Sequence, residues 1–342
     1  MKKTVLASAI AAASFSGAAM AAEHESNMPT VYGNIQYVVT HKNVDGGSSS
    51  IEHADNGSTI GVKHDHEIAP GLTGFFKAEL EYDADDKAGN EGLNSFDEAY
   101  VGVESDSFGK VWIGSDDSTY ERAVAKIYNF HEVGTGIDGS YSTGEGDLLQ
   151  YETPSFGGLK LGAAVQVNGD GDERTEGEKS YPYQLAAIYS VDALELAFAM
   201  DSNDGELGYS EKDDGKAPAD DELDPNDENT YGLRATYTMG DFSLTGEYQT
   251  RKDVKDEYGV IGVYSLGANQ FSVAYQLTED DSSAQTSGDK ESVVALQALH
   301  NVSDNLYVYA EGYMYNNDAD YVSSVAGSDE KQVAAVGLNY YF

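Results

Sequence analysis

The segment Tyr231-Gly-Leu-Arg-Ala-Thr-Tyr-Thr-Met239 alternates strictly between two kinds of side chain. On one face of an extended chain lie apolar side chains, those of Tyr231, Leu233, Ala235, Tyr237 and Met239. On the other face lie small and polar residues, Gly232, Arg234, Thr236 and Thr238. A period of two residues is typical of a β-strand and does not fit a helix. The segment therefore predicts a strand between an apolar and a polar environment.

The same alternation recurs along the chain and predicts an all-β protein. Sixteen strands are expected, at roughly 31–41, 58–67, 72–83, 95–105, 111–115, 148–153, 159–168, 181–190, 194–202, 230–239, 242–251, 258–266, 271–279, 292–300, 306–315 and 332–342. The pattern does not decide which face is apolar in the twelfth, fourteenth and fifteenth of them. After the N-terminus, no run approaches the ~20 apolar residues of a membrane helix, but a membrane-spanning strand needs only ~9–11.

Two further features favour a barrel in a lipid bilayer over a soluble sandwich. The apolar faces often begin or end in aromatic residues, as the interfacial girdles of membrane barrels do. The connections also alternate between short turns, such as Gly240-Asp241, and long acidic stretches, such as 169–180 and 204–229. Together these features predict a transmembrane antiparallel β-barrel of 16 strands, wide enough for a water-filled lumen.

The composition excludes several classes of function. The 342 residues include 60 acidic and 20 basic side chains, a formal net charge of −40, and no cysteine. Such a charge repels phosphates, so we expect no nucleic acid partner. Without cysteine there are no disulfides, thiolate metal sites or cysteine nucleophiles.

The N-terminus has the organisation of a secretory signal peptide. Lys2 and Lys3 precede an apolar run over 5–20, and Ala19-Met-Ala21 supplies a small-residue cleavage site. We therefore expect residues 1–21 to be removed, leaving 22–342 as a single barrel domain that is exported from the cytoplasm.

Several short motifs occur in an order that resembles the Gram-negative general porins. They include Val31-Tyr-Gly33, Ala99-Tyr-Val-Gly-Val103, Trp112-Ile-Gly114 and a terminal Phe342 in line with Tyr340 and Leu338. The resemblance covers the whole mature chain. It implies a homotrimer of sixteen-stranded diffusion channels in the outer membrane. It also implies that the outer-membrane assembly machinery recognises Phe342, Tyr340 and Leu338.

The resemblance gives a role to the long segment at about 115–147. In these porins the third extracellular loop folds into the lumen and forms the constriction. Here that loop carries seven acids and two bases, namely Asp116, Asp117, Glu121, Glu132, Asp138, Glu145 and Asp147 with Arg122 and Lys126. From loop behaviour alone, an ordinary solvated surface loop is an equal alternative.

The family usually places arginines on the wall that faces these acids, and this chain departs from that pattern. The corresponding positions are Asn34, Thr59, Asp97, Ser115, Gln150 and Glu152. The remaining inward-facing cations are Lys63, Lys77, Lys160, Arg234 and Arg251. Since acidic rings concentrate cations and exclude anions, we expect a cation-selective pore.

The other acids concentrate in expected outer loops. Residues 201–228 hold twelve acids against Lys212 and Lys216. These loops could bind divalent cations that bridge lipopolysaccharide, guide ions to the pore, or serve as a solvated surface in a salty habitat. An alternative function is a surface adhesin or receptor that uses the acidic loops to bind partners. Asn168-Gly-Asp-Gly-Asp172 resembles a calcium loop but lacks its central glycine and later glutamate.

The sequence carries no catalytic motif, so the chain is not expected to be an enzyme or to need a cofactor. The sequence has no phosphate-binding glycine loop with lysine and no G-x-S-x-G motif. His64 and His66 lack the further ligands that zinc requires, so no metal site is expected. His131, within the constriction loop, could tune conductance near the ordinary pKa of histidine.

Overall fold

The computed structural model describes residues 28–85, 96–167, 181–203, 228–282, 288–318 and 328–342. These residues form one closed antiparallel sheet and a short helix. The strands are β1 Thr30–Val44, β2 Ser49–Asp55, β3 Ser58–Ala69, β4 Leu72–Tyr82, β5 Phe96–Ser105, β6 Gly109–Ser115, β7 Leu148–Glu152, β8 Leu159–Gln166, β9 Tyr183–Val191, β10 Leu194–Asp201, β11 Thr230–Met239, β12 Phe242–Arg251, β13 Lys255–Leu266, β14 Asn269–Asp280, β15 Lys290–Ser303, β16 Leu306–Asn317 and β17 Glu330–Tyr341. The helix is α1 Thr119–Ala123. No helix in the described ranges is long and apolar enough to cross a membrane.

The seventeen segments form sixteen barrel strands, which confirms the predicted number. β3 pairs with the first part of β1 and β2 with its second part, both antiparallel. β2 and β3 are therefore two halves of one strand, interrupted at Asn56 and Gly57. Gly57 has a φ of 93°, a conformation that glycine adopts readily. The sequence predicted only the second half of this strand.

The barrel places its apolar side chains outside and its polar side chains inside. In β11, Tyr231, Leu233 and Tyr237 are exposed, whereas Arg234 is buried. This confirms the two-faced strand predicted for 231–239. Among the largest fully buried side chains are polar ones, Gln150, Gln184, Gln249, Glu257 and Gln276. We call the face that carries them the inner face.

The tyrosines divide between the two faces, although the sequence suggested mainly an outer girdle. One group is exposed: Tyr151, Tyr181, Tyr183, Tyr189, Tyr231, Tyr237, Tyr258, Tyr264, Tyr275 and Tyr340. A second group is buried on the inner face, where Tyr307, Tyr309 and Tyr313 pack in two hydrophobic clusters. The inner tyrosines therefore fill space within the barrel.

Three strands carry apolar side chains on both faces, which explains why their orientation was ambiguous in the sequence. They are β13, β15 and β16, the twelfth, fourteenth and fifteenth barrel strands. Their inner faces contribute Ile261, Val293, Leu299 and Tyr313 to hydrophobic clusters. Ile127 and Ile137 from the connection between β6 and β7 complete one of these clusters. Strict alternation therefore ends where another part of the chain covers the inner face.

Three sequence predictions lie outside the described residues. They are the signal peptide at 1–21, most of the acidic segment 201–228, and the calcium-like stretch 168–172. The signal peptide and its cleavage stay predictions.

The barrel closes where its first and last strands meet. β1 pairs with β17 from Asn34 opposite Tyr341 to Val44 opposite Lys331. Beyond β17, Phe342 exchanges two backbone hydrogen bonds with Gly33, at 3.2 and 3.0 Å. A Cβ on Gly33 would lie 2.7 Å from the Phe342 ring and 2.5 Å from the Thr59 carbonyl oxygen. Glycine at this position is therefore required by the close approach of three strands.

Gly33→Ala is expected to destabilise the closed barrel by about 1–3 kcal/mol, because the added methyl group overpacks this seam. The matched control is Gly312→Ala, since a Cβ on Gly312 would meet no atom within 4 Å. Thermal unfolding and the yield of heat-modifiable folded protein on gels measure the effect. Equal stability of the two variants would contradict the role assigned to Gly33.

Candidate functional site: the β6–β7 loop and the barrel wall

The connection between β6 and β7, residues 116–147, begins with the short helix α1. Ser118 caps this helix, because its hydroxyl oxygen accepts a hydrogen bond from the Glu121 amide at 3.1 Å. The apolar side of the helix packs on the inner face of β9 and β10, where Tyr120 and Val124 are buried with Ala186 and Ala199. We call this segment the β6–β7 loop.

Two glutamates on the barrel wall hold the middle of the β6–β7 loop. Glu247 accepts hydrogen bonds from the amides of Lys126 and Ile127 at 2.9 and 3.2 Å. Glu311 accepts them from the amides of Glu132 and Val133 at 2.8 and 3.1 Å. In each pair, one carboxylate satisfies two successive backbone donors that would otherwise be buried without partners.

The Glu132 side chain is itself bound by side chains of β1 and β16. Its carboxylate accepts hydrogen bonds from Gln36 Nε2 and the Tyr307 hydroxyl, both at 2.8 Å. Burial raises the pKa of Glu132 to about 7. The middle of the loop is therefore connected to β1 and β16 through side chains as well as through its backbone.

His131 lies beside this network, and its pKa differs from the ordinary histidine value on which the sequence prediction rests. Its ring is 3% exposed and its Nε2 atom lies 2.9 Å from the Ser272 hydroxyl. Burial lowers the pKa of His131 to about 4. The side chain is therefore neutral at neutral pH and does not provide a charge that titrates near pH 6.5.

The second half of the β6–β7 loop is held by β10 and β13. Asp201 accepts hydrogen bonds from the amide and the hydroxyl of Thr143, at 3.1 and 2.6 Å. The backbone carbonyl of Asp138 accepts a hydrogen bond from Lys255. Asp147, which is exposed, ends the loop with a φ of 54°.

Three carboxylates of the β6–β7 loop form a cluster that we call the loop trio. Asp117, Glu121 and Glu145 have carboxylate oxygens within 4.8 Å of one another. Burial raises the pKa of Glu121 to about 8, and repulsion from Asp117 and Glu145 adds to the shift. Burial also raises the pKa of Glu145. Glu121 therefore keeps its proton near neutral pH.

A second cluster, the wall trio, lies on β4 and β5. The carboxylate oxygens of Glu79, Asp97 and Glu98 also lie within 4.8 Å of one another. Glu98 pairs with Lys77 at 2.6 Å, and Glu79 lies 3.7 Å from the same amine. Asp117 is close enough to Glu98 for their charges to repel. In the described part of the chain, these trios are the only groups of three candidate metal-ligating side chains.

The other predicted wall residues occupy different environments. The Asn34 amide oxygen accepts hydrogen bonds from the Thr59 amide and hydroxyl, which secures the break between β2 and β3. Glu152 and Lys160 form an exposed ion pair at 2.8 Å. Ser115 is the last residue of β6.

The remaining predicted cations are also engaged. The Lys63 amine lies 4.9 Å from the centre of the Tyr32 ring. Arg234 pairs with Glu195 at 2.7 Å and donates a hydrogen bond to the Ala123 carbonyl at the end of α1. Arg251 is buried on the inner face.

Sequence reasoning missed Lys110 as a wall cation. Its amine lies 4.4 Å from the centre of the Trp112 ring and 4.8 Å from that of Phe75. The predicted fifth strand begins at residue 111, so the prediction leaves Lys110 outside the wall, whereas β6 begins at Gly109. Its two-residue spacing from Trp112 was the signal that could have placed it on the inner face.

Comparison with known proteins identifies the family. Residues 7–320 match the sequence profile of the family described as Gram-negative porin. The chain belongs to this family. It is 28% identical to a monosaccharide porin from a Halomonas species, over an alignment of 391 residues that covers all of both chains.

Solved porin structures have the same fold. The chain is similar to the anion-selective porin from Comamonas acidovorans, with a TM-score of 0.69 and 16% identity over 92% of this chain and 99% of that one. It is also similar to OmpF of Salmonella typhi in complex with daunomycin, with a TM-score of 0.67 and 17% identity over 92% and 97% of the two chains.

Membership of the porin family confirms the predicted class of function. The protein is an outer-membrane diffusion channel, and it is not an enzyme because porins conduct solutes without chemical conversion. The predicted resemblance, barrel and location are therefore confirmed.

Glu311→Gln is expected to loosen the β6–β7 loop, since an amide can accept from one backbone donor but presents its own N–H groups to the other. The expected loss of stability is about 1–3 kcal/mol. Thermal unfolding and the noise of single-channel current measure it. Glu279→Gln is the control, because Glu279 pairs with Lys290 at 3.4 Å on an accessible surface. A quiet Glu311→Gln channel with unchanged stability would contradict the anchoring role.

Proposed function

We propose that this porin is a cation-selective channel whose constriction is formed by the β6–β7 loop. The observation that carries the proposal is the pairing of two carboxylate trios, one on the loop and one on the wall. Asp117 of the first trio repels Glu98 of the second, so both contribute to one negative region. A negative region in a narrow aqueous passage concentrates cations and excludes anions.

The contacts of the β6–β7 loop support its role as the constriction. Its hydrogen-bond partners Glu247, Gln249, Gln276 and Glu311 all belong to the inner face. A segment of this length held against that face narrows the space through which solutes pass. A solvated surface loop, which was the alternative considered from the sequence, would not make these hydrogen bonds with the inner face.

The positive charges near this region do not form the opposing arginine wall of the general porins. Lys77 is paired with Glu98 and Glu79, so its charge is offset by two members of the wall trio. Lys63 and Lys110 lie over aromatic rings. With seven acids and two bases, the β6–β7 loop has a formal net charge of −5. The balance of charge supports preference for cations.

Small uncharged solutes are expected to diffuse through the same passage. The monosaccharide porin to which this chain is 28% identical supports sugars of that size as one class of solute. Passage is passive, and size and charge at the constriction decide which solutes pass.

The outer surface supports assembly as a homotrimer. Within the described residues, exposed tyrosines occur on β7, β9, β11, β13, β14 and β17 or next to them, and none occurs from β1 to β6. Histidines lie on the outer face of β3 instead, where the rings of His64 and His66 stack at 5.2 Å. A surface without girdle tyrosines is better suited to contact with another subunit than to the lipid interface.

Two further partners are proposed from the resemblance and the exposed surface. Leu338, Tyr340 and Phe342 are exposed in one line at the end of β17, which suits recognition by the outer-membrane assembly machinery. Lipopolysaccharide is the proposed partner of the acidic outer loops, through bridging divalent cations.

Reversal potentials in planar bilayers under a KCl gradient test the selectivity. We expect a potential of the sign that indicates K⁺ preference and, at about pH 9, where Glu121 has lost its proton, a smaller one in Glu121→Gln. The matched control is Glu279→Gln, outside both trios. Neutral behaviour or anion preference of the unmodified protein would refute the proposal.

Swelling of liposomes in isotonic monosaccharide solution separates a channel from an adhesin. Open porin should permit swelling, whereas a receptor barrel with a closed lumen would not. An absence of swelling together with protein or cell binding would favour the adhesin alternative.

Cation preference is expected to increase with pH because the raised pKa values keep part of the loop trio protonated. The K⁺/Cl⁻ permeability ratio should rise between about pH 6 and about pH 9, as Glu121 loses its proton. In Glu121→Gln the rise should be reduced. An identical pH dependence in both proteins would show that other groups control it.

A further inference from the structure

The root of the β6–β7 loop contains a compact network around the only tryptophan of the chain. Trp112 is 2% exposed, and its Nε1 atom donates a hydrogen bond to Asp116 at 2.7 Å. The Arg122 guanidinium lies 4.6 Å from the centre of the Trp112 ring. The same guanidinium donates to Asp116 at 3.1 Å and to the Gln150 side-chain oxygen at 2.9 Å. Arg122 therefore contacts three groups from two strands and the loop.

The location of these partners explains what the contacts do. Trp112 and Gln150 are directly opposite each other on β6 and β7. Arg122 belongs to α1, and the Thr119 hydroxyl of the same helix donates to Gln150 at 2.8 Å. Gln150 in turn donates to the Asp117 carbonyl at 3.1 Å. The network thus fastens both the helix and the residue that begins the loop trio to the wall.

The guanidinium group uses its shape as well as its charge in these contacts. A planar fork can donate in two directions while its face rests on an aromatic ring. A lysine amine is a point charge on a flexible chain and cannot occupy all three contacts at once. The ion pair with Asp116 also offsets the positive charge that would otherwise face the lumen.

We propose that Arg122 is a positioning residue, which fastens α1 to β6 and β7 and so aims the loop trio into the lumen, and that it is not a positive charge of the permeation path. Only the selectivity readout of this inference rests on the proposed cation preference. The position of the helix and the environment of Trp112 depend on the network alone.

Arg122→Lys and Arg122→Gln in the full-length channel separate shape from charge, with Lys126→Gln as the control for the other base of the loop. Trp112 fluorescence, acrylamide quenching, single-channel noise and the K⁺/Cl⁻ ratio are measured. We expect both Arg122 variants to show red-shifted and more easily quenched emission. They should also visit altered conductance levels about 10-fold more often, since charge-assisted hydrogen bonds are lost. The two Arg122 variants should change the K⁺/Cl⁻ ratio in the same direction as each other. Lys126→Gln should leave the Trp112 emission unchanged.

A role for Arg122 as a charge of the permeation path predicts different results. If Arg122 is a pore charge, Arg122→Lys will match the unmodified protein in every measurement. Arg122→Gln will then increase K⁺ preference without a change in Trp112 emission. Anion preference in the unmodified protein would refute the proposed function but would leave the fluorescence result as a valid test of the fastening role.

Asp116→Asn provides a second test that does not depend on recovering the Arg122 variants. It keeps the size of the side chain but removes the negative charge of the carboxylate, which accepts hydrogen bonds from both Arg122 and Trp112. A fastening role predicts stronger quenching of Trp112 and, combined with Arg122→Lys, an effect smaller than the sum of the two. Unchanged quenching in Asp116→Asn, or strict additivity, would overturn the proposal.

Discussion

The arrangement of the lumen depends on carboxylates of the barrel wall that accept hydrogen bonds from loop amides. A loop without regular structure has backbone donors that need partners once they are buried. Glu247, Glu311 and Asp201 supply these partners on three different strands. The acids on the wall therefore differ in their contacts, since these three hold the loop while Glu98 pairs with Lys77 of the neighbouring strand.

Apolar side chains of the β6–β7 loop also pack against apolar side chains of the inner face. Ile127 and Ile137 of the loop pack with inner-face side chains of β13 to β16. A barrel filled only with water would have polar residues along the whole inner face. Here burial of apolar area and hydrogen bonds to carboxylates act at the same places, so the position of the loop is determined by packing as well as by polarity.

The sequence predicted the barrel well because alternation is a local property. It was clearest in β11, where lipid and lumen lie on opposite sides, and weakest in β13, β15 and β16, which also carry apolar side chains on the inner face. The sequence also identified the acids of the loop. It did not show which of them hold the loop in place and which form the loop trio. That distinction depends on contacts such as Glu132 with Gln36, which are 96 residues apart in the chain. Local patterns carry no information about such pairs.

The seam between Gly33 and Phe342 has a consequence for biosynthesis. β17 and Phe342 complete the pairing of β1, so the barrel closes only when residues 330–342 have reached the first strand. Until that segment is in place, β1 has unpaired backbone groups facing hydrocarbon, where each is strongly unfavourable. Insertion of the first strand and insertion of the last strand are therefore coupled, because neither has all its backbone partners without the other.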